Sequence, residues 1–143
     1  MRTLSKDAVR SLLDVLEVLS ARDHGAELVE RFYDRFFEQN PEVVPLFGKH
    51  AIAEREEMIQ ETLKSLLAYC DGETWLEMNL RALGKSHAEY GVETAMYPAY
   101  VAAFLETLRD VLGDRLSLET VKHVGEALEE ICGVMSEAGE ASV

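Results

Sequence analysis

Proline is scarce in this chain: Pro41, Pro45 and Pro98 are the only three in 143 residues. Helix interiors, which proline's fixed φ and missing N–H would break, are therefore left intact over long stretches. Cysteine is scarcer still. Cys70 and Cys132 stand alone, with no Cys-x-x-Cys pair or other metal-type spacing. That excludes a zinc ribbon or a disulfide framework and leaves two reduced thiols, buried or half-exposed. No apolar run is long enough to span a membrane. The first seven residues lack the apolar core of a secretory leader, so a cytoplasmic protein is expected. Basic runs are missing too. Lys and Arg number 14 against 27 Asp and Glu, for a formal net charge of −13. Neutralising phosphates needs clustered cations, which argues against nucleic acid as a partner. The acidity reads as a well-solvated surface.

Period-two alternation is also absent, and what replaces it is apolar spacing of three and four. Val9, Leu12, Leu13, Leu16 and Leu19 predict a first helix, capped by Ser5 with Asp7 in its first turn. Leu28, Phe32, Phe36 and Phe37 predict a second, from about Asp23 to the break at Asn40-Pro41. Ile52, Ile59, Leu63, Leu66 and Leu67 carry a third, stopping at Asp71-Gly72. Trp75, Leu76, Leu80 and Leu83 line another as far as His87, with Trp75 and Met78 read as core or interface. Tyr97, Tyr100, Val101, Phe104, Leu105, Leu108 and Leu112 mark one more. Ser117 caps the last, with Val121, Val124, Leu128, Ile131 and Met135 on one face and a fraying tail from Ala138. The expectation is a single all-α domain over residues 1–143.

Among four histidines, His87 has the richest surroundings. It lies one turn after Leu83 on the apolar side of its helix, which Tyr90-Gly91 closes. An axial metal ligand needs a neutral imidazole aimed by a partner on its other nitrogen. A backbone carbonyl one turn earlier, at Leu83 or Gly84, is suited to that. Phe47 and the Ile59/Leu63 face are expected to form an apolar, planar slot opposite.

The segment from Phe32-Tyr33 through Asn40-Pro41-Glu42 to Leu46-Phe47 resembles the second and third helices of bacterial globins. Ala82-Leu83-Gly84-Lys85-Ser86-His87, Tyr90-Gly91-Val92 and Tyr97-Pro98 resemble their proximal segment. The likeness is to single-domain bacterial haemoglobins and the globin half of flavohaemoglobins, and it runs from about residue 5 to 136. It implies a globin fold of seven to eight helices, three over three, around a haem b. It implies that His87 is the proximal iron ligand, that Phe47 packs on the haem plane, and that Leu83 and Val92 line the proximal side. Tyr33 matches the distal tyrosine, a hydrogen-bond donor to dioxygen. Counting from Phe47 and back from His87 puts Arg55 at the distal position that is usually Gln or His, with Ile59 one turn on and Leu63 beyond. Tyr97 matches a proximal tyrosine whose partner glutamate would be Glu137. Such a pair pushes electron density toward iron. His50, in the loop after Phe47, is the remaining candidate for a sixth ligand.

Reversible binding of dioxygen or other diatomic gases is the first function this resemblance implies, for storage, delivery or scavenging. Nitric oxide dioxygenation with a separate reductase shares the same site and is the second. A gas sensor or interaction module is the third. A monomer or weak homodimer is expected.

Overall fold

The computed structural model describes residues 5–20, 24–47 and 51–141. Among them the chain is entirely helical: α1 (Lys6–Ser20), α2 (His24–Gln39), a 3-10 helix (Pro41–Phe47), α3 (Ala51–Asp71), α4 (Leu76–Glu89), α5 (Met96–Leu112), a short 3-10 turn (Gly113–Arg115) and α6 (Leu118–Ala141). The two serine caps form as the sequence predicts. Ser5 Oγ accepts the Ala8 N–H at 3.1 Å, and Ser117 Oγ accepts that of Thr120 at 3.1 Å. Each satisfies one of the N–H groups that a helix start leaves without an internal partner. At the other end of α2, the Asn40 side chain donates to the Phe36 carbonyl at 3.2 Å just before Pro41 turns the chain into the 3-10 helix.

The apolar stripes of α2 and α5 meet around Phe32 and Phe104, both fully buried. The Phe32 ring centroid lies 5.0 Å from that of Tyr100 and 6.1 Å from that of Phe104, both edge-on, an arrangement the ring quadrupoles favour. At the rim, Arg35 pairs with Asp110 and Glu106 and so ties α2 to α5 a second time. The α3 helix packs on α1 and α6.

The closest backbone approach is between α4 and α6. A Cβ on Gly84 would stand 2.1 Å from the Met135 carbonyl oxygen, a distance no side chain tolerates. On α6, a Cβ at Gly139 would stand 3.1 Å from the Gly84 carbonyl oxygen. The α4–α6 crossing is thus a contact of backbones that requires hydrogen at Gly84 and leaves little room at Gly139. It also corrects the expectation of a frayed tail from Ala138. Helix α6 runs to Ala141 with Ala138 and Gly139 buried, because small residues let it lie directly on α4. Trp75 and Met78, expected as core or interface, are exposed and so not core; Lys64 Nζ lies 5.6 Å from the Trp75 ring.

Gly84→Ala should destabilise the fold by about 3 kcal/mol through overpacking against backbone that has no rotamer to yield. Denaturant unfolding checks this, and an unfolding free energy within a few tenths of a kcal/mol of wild type would show that α4 shifts freely.

Candidate functional site

Helices α3, α4, α5 and α6 and the 3-10 helix together line a cavity of about 520 Å³. That volume lies in the range of small-molecule and cofactor sites. Its surface is mostly apolar. From the expected set, Phe47, Leu83, His87, Val92 and Tyr97 all line it.

His87 sits in the last turn of α4. Its Nδ1 is 2.7 Å from the Leu83 carbonyl oxygen. A carbonyl only accepts, so this contact puts the ring proton on Nδ1 and leaves the Nε2 lone pair free. Behind it, Gly91 at φ 101° takes a left-handed turn, and the Val92 N–H closes back onto the His87 carbonyl at 2.9 Å. The imidazole is therefore fixed at both its ring and its backbone. The Tyr97 ring stands nearly parallel to it, with centroids 6.5 Å apart.

On α3 the structure departs from the expected register. The residues that line the cavity are Glu54, Glu57, Met58, Glu61, Thr62 and Ser65; Arg55, Ile59 and Leu63 do not. Ile59 is buried at 2% exposure in the main core, alongside Leu66. Burying these two on the core side rotates the helix by one residue, about 100°, from what an ungapped count gives. Arg55 points neither into the cavity nor out to solvent as a free cation. Its guanidinium carbon lies 4.7 Å from the Phe37 ring centroid and 5.6 Å from that of Tyr33. No Lys or Arg lines the cavity among the described residues.

Tyr33 is buried beside the cavity rather than lining it. Its ring meets that of Phe47 edge-on at 5.4 Å, and its hydroxyl donates to the Arg55 backbone carbonyl at 3.1 Å. Burial raises its pKa, against the opposing pull of Arg55, so it stays a phenol. That hydrogen bond docks α2 onto the first turns of α3.

The proximal pair expected of Tyr97 and Glu137 does not form. Glu137 is exposed and lies outside the lining. The α6 residues that do face the cavity are Leu128, Ile131, Cys132 and Met135. The α4–α6 contact at Met135 sets this rotation, and it turns position 137 to solvent. Burial pushes the Tyr97 hydroxyl up to about 12, and the Cys132 thiol nearby adds to the rise. Cys132 is itself pushed up to about 12 by burial, so it is a packed thiol rather than a thiolate. His50 lies outside the described residues, as does the His24 side chain. Sequence reading missed Met58, Thr62, Tyr100, Cys132 and Met135 as cavity residues. For Tyr100 a signal existed: it stands three residues after Tyr97, one turn along the same face.

The residues fit a haem. The cavity offers one fixed imidazole whose Nε2 makes no bond of its own among the described residues, an aromatic edge at Phe47 and apolar walls. The chain matches the globin family profile over residues 30–135. A flavohemoprotein of Rhizobium meliloti is 28% identical over 135 residues, which is 92% of this chain and 32% of that protein. The chain therefore spans about a third of the length of that relative. Two solved structures share the fold: an engineered carbene transferase from Rhodothermus marinus (TM-score 0.78, 24% identity, covering 97% of this chain and 95% of that one) and a bacterial globin from Campylobacter jejuni (TM-score 0.76, 21% identity, covering 96% and 97%). With a helical fold of that shape, a presented histidine and a profile match over most of its length, the chain belongs to the globin family.

Proposed function

We propose that this globin holds a haem b through His87 and binds a diatomic gas reversibly, dioxygen foremost, as a single globin domain in the cytoplasm. The observation that carries the reading is the 2.7 Å contact from His87 Nδ1 to the Leu83 carbonyl, which leaves Nε2 free inside an apolar cavity. Haem, when bound, supplies a reduced iron able to take up a diatomic ligand.

The chain's own residues do the rest. Leu83 and the Val92 turn hold the imidazole, so little ordering cost remains when it ligates. Phe47, Leu46, Val43 and Leu80 give the cavity an apolar lining. A ligand that gains negative charge is then stabilised strongly by any single donor nearby. Tyr33 is the donor implied by the bacterial-globin pattern, and to act its proton must leave the Arg55 carbonyl. Met58, a thioether on α3, adds a soft group to the cavity lining.

A second reading is nitric oxide dioxygenation with electrons from a separate reductase. It draws on flavohemoprotein relatives, which are about three times as long as this chain. The exposed position of Glu137 weighs against it, since the carboxylate that would polarise His87 through Tyr97 faces solvent. Among the described residues no helix is long and apolar enough to cross a membrane.

Ultraviolet–visible spectra of the purified protein, oxidised, reduced and then aerated, test the main reading. A single broad deoxy band that splits on aeration supports it, and a reduced spectrum already split would point to an internal sixth ligand. His87→Ala should abolish stable haem retention; a mutant that keeps a wild-type Soret band after gel filtration would sink the assignment. Tyr33→Phe should speed dioxygen release roughly tenfold, the rate equivalent of one hydrogen bond of about 1.4 kcal/mol. Stopped-flow release at the wild-type rate would mean that Tyr33 serves only to dock α3.

A further inference from the structure

The cavity contains a pair of hydroxyls that the reading above leaves unused. Tyr100 lies on α5, one turn beyond Tyr97, and lines the cavity together with Thr62 of α3. Its ring is packed among aromatic side chains, with centroids 5.0 Å from Phe32, 5.8 Å from Phe36 and 6.1 Å from Phe104. Such packing leaves the ring no second rotamer, so its hydroxyl is held in place. That hydroxyl lies 2.5 Å from Thr62 Oγ1.

Proton counting gives the direction of the bond. Thr62 Oγ1 is also 2.9 Å from the Met58 carbonyl, which can only accept. The single threonine proton goes to that carbonyl, and the Tyr100 proton goes to Thr62. The relay runs from Tyr100 through Thr62 to Met58. Thr62 and Met58 belong to α3 and His87 to α4, and both helices line the cavity. With the haem held from α4, the Tyr100–Thr62 pair is a polar group left for a gas to meet.

We propose that Tyr100, poised by Thr62, donates a hydrogen bond to a diatomic ligand bound in the cavity opposite His87. This rests on the haem reading above. The switch needs no heavy atom to move. When a ligand carrying partial negative charge arrives, the Tyr100 O–H turns from Thr62 to the ligand. Thr62 then reverses its own O–H and donates to the Tyr100 oxygen. The Met58 carbonyl loses only an auxiliary donor, because it stays inside the α3 hydrogen-bond ladder. Tyr33, in contrast, is bonded to the Arg55 carbonyl, also of α3, and does not line the cavity. Full burial holds the Tyr100 phenol well above its ordinary pKa, so it remains a donor across the working pH range.

The test uses the haem-loaded protein with carbon monoxide and dioxygen as probes. Tyr100→Phe should raise the infrared C–O stretching frequency and speed dioxygen release about tenfold, through loss of one donor. Thr62→Val should act in the opposite sense. It removes the resting acceptor while keeping the side-chain shape, so the Tyr100 proton is free for the ligand, the C–O stretch falls and release slows. A purely packing role for Tyr100 predicts no such opposition of sign. Wild-type stretch and release in Tyr100→Phe would overturn the proposal while leaving the haem reading intact. So would release from Thr62→Val that is unchanged or faster, and this variant decides the matter if Tyr100→Phe does not fold. A wild-type protein that shows no Soret band on titration with haem would overturn the haem reading itself, and this proposal with it.

Discussion

The rest of the site depends on the backbone contact between Gly84 and Met135. It brings α4 down onto α6 closely enough that no Cβ fits at Gly84. Three consequences follow along the chain. His87 lies three residues after Gly84, so the contact sets the height at which the imidazole enters the cavity. Met135 and Cys132 are turned to the proximal wall, which becomes apolar and uncharged. Glu137, two residues further on, is carried round to solvent. One steric constraint thus positions His87 and at the same time turns the Glu137 carboxylate away from it.

The two sides of the cavity consequently differ in kind. On the His87 side the polar contacts are local and closed: ring nitrogen to Leu83, backbone to Val92, with Tyr97 stacked at 6.5 Å. On the α3 side hydroxyls are available, and each is parked on an acceptor. Tyr33 is held by the Arg55 carbonyl and Tyr100 by Thr62. In an apolar enclosure a donor without an acceptor carries a desolvation cost, so parking is what makes such groups tolerable before a ligand arrives. The difference between the two lies in where they stand: Tyr100 lines the cavity and is held by a hydroxyl that can reverse, whereas Tyr33 lies beside the cavity. Negative charge gathers at the edge of α3, where Glu54, Glu57 and Glu61 line the cavity without a Lys or Arg among the lining residues. That arrangement disfavours an anion at this edge of the cavity.

Much of this architecture was legible in the residues. Spacing of three and four placed all six α-helices, and Ser5, Asn40-Pro41 and Ser117 marked their ends, because caps and proline act through bonds only a few residues away. His87, its Leu83 partner and Phe47 were legible for the same reason: a contact of one helical turn, and an aromatic at a recognisable distance from Tyr33. What tertiary packing decided was rotation. Helix α3 turned by one residue because Ile59 and Leu66 gain more in the core than Arg55 gains in a cavity, leaving Met58 and Thr62 facing inward. Helix α6 turned Glu137 away and extended to Ala141 because small residues at Ala138 and Gly139 found α4 beneath them. The sequence by itself determined which helices exist and which histidine is presented. Only the tertiary structure decided which neighbours that histidine faces, since a helix's rotation follows from everything packed around it and not from its own few residues.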